Sequence, residues 1–162
     1  MQPIVLTRKC LVILMACLVL GGFFSTVQAQ SRLSDKDVEH LMSNLHSDVQ
    51  SFRGPFNSAL NKSAIRKTSQ ESDAKHLAKQ LESQTGSMLD TFKHKQKADD
   101  AFKTVLDTAQ HLDGIVQQLG PQSAAAAPWA RVQSAMNALA QSFGVTTPFG
   151  QQTAPAYSAP GH

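Results

Sequence analysis

Beyond residue 29 the chain has no cysteine, because Cys10 and Cys17 both lie near the amino terminus. The remainder can therefore form no disulfide, thiolate metal site, covalent c-type haem or cysteine nucleophile. It also lacks a surplus of charge. Fifteen Lys and Arg face twelve Asp and Glu, and Arg8 and Lys9 are two of those cations, so residues 30–162 carry 13 against 12. Nucleic-acid and anionic-membrane partners need clustered positive excess, which this balance does not supply. Aromatic residues are only 6% of the chain, with one Trp and one Tyr. Long apolar runs are limited to the first thirty residues.

Those thirty residues read as an export signal. Arg8 and Lys9 form a positive n-region, Leu11 to Phe24 an apolar core, and Ser25-Thr26-Val27-Gln28-Ala29 a small-residue cleavage box. Cleavage is expected between Ala29 and Gln30. A bilayer span needs roughly 20 apolar residues, more than this core supplies, and Gly21-Gly22 weaken its helix further. Leu14-Met15-Ala16-Cys17 loosely fits a lipoprotein box, but the apolar run continues past Cys17 and the better cleavage site lies downstream. The expected location is periplasmic or secreted, with lipidation at Cys17 as the lesser alternative and no stable membrane insertion after cleavage. Removal of residues 1–29 leaves 133 of the 162, about one domain's worth.

The mature region has helical periodicity four times. Val38, Met42, Leu45, Val49, Phe52, Phe56 and Ala59 recur at alternating spacings of four and three, from about Asp35 to Leu60. Ser34 suits the N-cap, with Asp37 favoured by the helix dipole. Gly54-Pro55 falls inside this period, which predicts a kink and not a stop. Asn61 to Lys67 reads as a linker, and Thr68-Ser69-Gln70-Glu71 matches a capping box. Ala74, Leu77, Ala78, Leu81, Met88, Leu89 and Phe92 follow, with Thr85 on the seam. The polar run Lys93-His94-Lys95-Gln96-Lys97 predicts a turn.

The third seam is Ala98, Phe102, Val105, Ala109, Leu112, Val116 and Leu119, stopped by Gly120-Pro121. Pro128 opens the fourth, which carries Trp129, Val132, Met136, Leu139 and Phe143 up to Gly144. Four amphipathic helices with short connections predict an all-α, antiparallel four-helix bundle over residues 34–144, after a signal peptide (1–29) and a short segment (30–33). Residues 145–162 contain three prolines and no charged side chain, which predicts a disordered tail.

Candidate chemistry is sparse on this pattern. His40, His76, His94 and His111 fall on outward positions and His46 on the edge of the seam, so solvated histidines are expected. A metal centre in a bundle needs inward carboxylates with a Glu-x-x-His pair, and none occurs. Met42 would be the axial methionine of a haem bundle, but the fourth helix holds no histidine. Leu106-Asp107-Thr108-Ala109-Gln110 only approaches the Leu-Thr-x-x-Gln repeat of periplasmic stress sensors. Interior positions between the caps are apolar apart from Thr85, leaving no buried acid, base or nucleophile. Lys93, Lys95 and Lys97, and Lys62, Arg66 and Lys67, flank helix ends, where they complement dipoles and keep loops soluble. Trp129 is expected as a core anchor. Asn61-Lys62-Ser63 fits a glycosylation acceptor that matters only in a glycosylating pathway. Tyr157 is expected in a loose terminus.

Asp48, Phe52-Arg53, Ala59-Leu60 and Ser63 form a D-x-x-x-F-R-x-x-x-x-x-A-L-x-x-S stretch, followed by the Val105/Ala109 seam, Trp129 and Leu139-Ala140. In these features residues 38–145 resemble a group of uncharacterised exported bacterial proteins. The likeness implies an exported helical bundle and transfers no functional residue. Gly54-Pro55 departs from its pattern and puts the straightness of the first helix in question. The expected function is a non-enzymatic exported bundle without cofactor, a structural or interaction module for an unidentified envelope or extracellular protein. The alternative is a periplasmic binding module for a metal ion or small apolar ligand, using surface histidines or a gap beside Thr85 and Pro55.

Overall fold

Leu33–Phe149 are described in a computed structural model; the expected signal peptide, its Ala29/Gln30 cleavage site, Tyr157 and His162 lie outside them. Ser34 starts the first helix with a full reciprocal cap. Its Oγ accepts from the Asp37 N–H at 3.2 Å, while the Asp37 carboxylate accepts from the Ser34 N–H and Oγ–H. From there α1 runs Asp35–Asn61 without interruption through Pro55. The carbonyl released by the proline belongs to Ser51, an exposed residue, so water can satisfy it.

The turn to α2 (Ser69–Lys93) forms only half of the box expected there. Thr68 Oγ1 accepts from the Glu71 N–H at 3.4 Å, but the Glu71 carboxylate turns to the Lys67 N–H and to Lys75. Thr68's own N–H already donates to the Ile65 carbonyl, and Lys67, at φ 63°, offers its N–H instead.

The polar run then makes the turn, with Lys95 at φ 60°, and α3 covers Asp99–Leu119. No side chain caps α3; Asp99 and Asp100 in its first turn face the positive end of the dipole. Gly120 at φ 85° leads to α4 (Ala126–Phe143), in whose first turn Pro128 sits. Among the described residues all regular structure is helical.

Pairings across the helices fix their directions. Arg53 of α1 meets Glu82 of α2, Gln70 of α2 meets Gln118 of α3, Phe102 of α3 meets Phe143 of α4, and Asp48 of α1 faces Arg131 of α4. Each neighbour is thus antiparallel, in an up-down-up-down bundle. α1 packs closely on both α2 and α4, and α2 on α3, whereas α3 and α4 touch more sparsely.

The apolar seams meet in one core. Met42, Leu45, Phe52, Phe56, Leu81, Phe102, Leu112 and Met136 are fully buried. Three polar side chains join them: Thr85 as expected, and Thr108 and Glu71, which were not. One boundary also shifts. The expected tail was to begin at Val145, yet Val145 packs on the core and Phe149 is buried.

Candidate functional site

Along the outer junction of α1 and α2 lies a shallow open trough of about 430 Å³. One wall is the i, i+4, i+7 row His46, Gln50 and Arg53; the other is Lys79, Glu82, Ser83, Gly86, Ser87 and Asp90. From Lys79 to Asp90 the α2 wall is about 16 Å long. Three residues on it, Ser83, Gly86 and Ser87, are small and uncharged, which keeps it shallow.

Its floor is a hydrogen-bonded unit. Thr85, fully buried, donates its hydroxyl to the Glu82 carbonyl at 2.9 Å, so the contact of 3.0 Å with His46 Nδ1 must be received as an acceptor. The network thereby assigns His46 as the Nδ1–H tautomer, whose free Nε2 accepts from Gln50 Nε2 at 3.1 Å. Gly86 makes this possible. A Cβ there would stand 3.2 Å from His46 Cε1, inside comfortable carbon contact. The Arg53–Glu82 ion pair closes one end of the floor. On the rim, the side chains of Lys79, Ser83, Ser87 and Asp90 have no partner among the described residues.

Two other polar centres lie outside the trough. Asp113 Oδ1 accepts from Trp129 Nε1 and from Gln133 Nε2, both at 2.7 Å, and its Oδ2 accepts from Gln117 Nε2 at 2.6 Å. This one carboxylate fixes the start of α4 to α3. Glu71 is 7% exposed, a buried carboxylate that the seam pattern did not anticipate. The hydrogen bond from Lys75, followed by the one from the Lys67 N–H, holds its carboxyl below the usual range. Asp37 is lowered in the same way by Ser34, whereas burial pushes Asp48 up against the opposing pull of Arg131.

The remaining sequence candidates are dispersed. His40, His76, His94 and His111 are exposed on separate turns, and among the described residues no three His, Cys, Asp or Glu side chains gather to hold a metal. Met42 is fully buried. Beside Thr85 lies the His46 ring, at hydrogen-bond distance from its hydroxyl. Lys93, Lys95 and Lys97 are exposed at the α2–α3 end, and Lys62, Arg66 and Lys67 at the opposite end. Ser63 of the Asn61-Lys62-Ser63 triplet bonds the Leu60 carbonyl at 2.7 Å. Trp129 is 2% exposed and packs on Phe52.

Sequence periodicity pointed to Thr85, His46 and Trp129. It missed Gly86, Asp113 and Glu71, whose roles depend on which helix lies opposite. No helix of the described residues is long and apolar enough to cross a membrane. The chain matches no protein family, no curated protein and no solved structure.

Proposed function

We propose that this protein is an exported, non-catalytic bundle that works through its surface as an interaction module of the cell envelope or extracellular space, with the α1–α2 trough as its contact face. One observation carries the reading. The trough has an internally hydrogen-bonded floor beneath a rim of polar side chains, Lys79, Ser83, Ser87 and Asp90, that have no partner among the described residues. A partner polypeptide can bond that rim without dismantling the fold, and opposite charges at its two ends select an orientation.

Three polar centres support the non-catalytic part of the reading, since their bonding is internal. Glu71 is engaged by Lys75 and Lys67, Thr85 by His46, and Asp113 by Trp129, Gln117 and Gln133. Export rests on the pattern of residues 1–30.

Reversing the rim charges, Lys79→Glu with Asp90→Lys, leaves stability near wild type because both sites are exposed. Capture from an envelope fraction is then compared between wild type and the double variant. Loss of a specifically retained protein supports the reading. An unchanged set of captured proteins, or sustained turnover in a broad substrate screen, refutes it.

A further inference from the structure

Trp129 is covered on one side by a piece of chain that belongs to no helix. α4 ends at Phe143, Gly144 takes φ 64°, and the Val145 N–H bonds back to the Ala140 carbonyl at 2.9 Å. This is a Schellman reversal, which a left-handed glycine permits. Pro148 biases Thr147 towards extended backbone. Phe149 then meets Trp129 edge-on, with centroids 6.4 Å apart and planes at 88°.

The segment turns back from the end of α4 and bends again at Pro148 and Phe149, which brings the Phe149 ring against Trp129. Its last ring completes a row, Phe56, Phe52, Trp129 and Phe149, with spacings of 4.8, 4.9 and 6.4 Å.

The first three rings are held by helices, and Trp129 also by its bond to Asp113. Phe149 is carried by irregular backbone, with a local bond from Thr147 Oγ1 to its carbonyl at 3.4 Å. From Val132 to Phe149 there is no Asp, Glu, Lys, Arg or His, so no side-chain ion pair fastens the described end of the chain. Segments with few anchors open at lower free energy than the helices beneath them.

We propose that residues 145–149 are a releasable strap whose Phe149 fills an aromatic slot on Trp129, and that the slot takes the aromatic side chain of an uncharged partner peptide when the strap lifts. The resident defines the ligand: a phenylalanine after a proline, in an uncharged segment, set edge-on to an indole. The strap sits on α4 and uses none of the trough residues, so it stands or falls separately from the contact face proposed above.

Trp129 is the single tryptophan and reports on the slot directly. In the full chain, Phe149→Ala is expected to red-shift its emission and raise acrylamide quenching while far-ultraviolet circular dichroism stays unchanged. A five-residue peptide copying residues 145–149 reverses both changes in the variant, whereas the same peptide with alanine for its phenylalanine does not. The wild type responds less at equal peptide concentration, because its own ring competes. Unchanged emission in Phe149→Ala, loss of helical signal in that variant, or failure of the peptide to reverse the shift would each overturn the proposal.

Discussion

Replacing Gly86 by alanine sets two effects of similar size against each other. In a helix interior the exchange gains about 0.5–1 kcal/mol from lower backbone entropy in the unfolded chain. Here the new methyl would stand 3.2 Å from His46 Cε1, so the ring must withdraw by a few tenths of an ångström. That motion weakens the 3.0 Å bond from His46 Nδ1 to the fully buried Thr85 hydroxyl, a loss of about 1 kcal/mol. The net change for Gly86→Ala is therefore close to zero. Where His46 has already been replaced by alanine the obstacle is gone, and the same exchange returns its full gain. Urea unfolding of wild type, both single variants and the double variant should give a coupling of about 1 kcal/mol between positions 46 and 86. Additivity within about 0.3 kcal/mol would refute the claim that glycine is there to seat the histidine.

Three further outcomes follow from the same geometry. Gly114→Ala, on an open face of α3 with nothing near its Cβ, should stabilise by about 0.5–1 kcal/mol in urea unfolding; Gly54→Ala, equally open, should destabilise, because a Cβ before Pro55 disfavours helical backbone. Asp113→Ala should cost about 2 kcal/mol by stranding the buried Trp129 N–H, while Asp113→Asn, which keeps an acceptor, should cost less; equal losses would assign the effect to something other than that bond. Glu71 is lowered in the folded state, so its contribution is present above the ordinary value near 4.5 and is lost as pH falls through the lowered one. Wild type should therefore melt above Glu71→Gln at pH 7, with the gap closing in acid; a gap that does not change with pH would contradict the sign.

Much of the bundle was readable from spacing alone, and the reason is local. A seam that repeats every three and four residues can bury itself only as a helix, so Val38 to Ala59 and Phe102 to Val116 declared their faces before any neighbour was known. Stops such as Gly120-Pro121 and Gly144 acted through one or two residues of backbone. Capping was less transparent, because several partners compete for each N–H. Asp37 completed a box not expected of it, and Glu71 left its box for Lys67 and Lys75. Composition places Phe149 in a loose tail, because proline and absent charge dominate that window, whereas its burial depends on Trp129 some twenty residues earlier.

Helix positions, seam identity and the outward placement of His40, His76, His94 and His111 were thus properties of the chain itself, set by periodicity and backbone propensity. Tertiary structure decided which helix faces which. That choice brought Gly86 under His46, aimed Asp113 at Trp129 and laid Phe149 over the indole. Contacts between residues far apart in sequence depend on the approach of two faces in space, and a one-dimensional pattern carries no term for that distance.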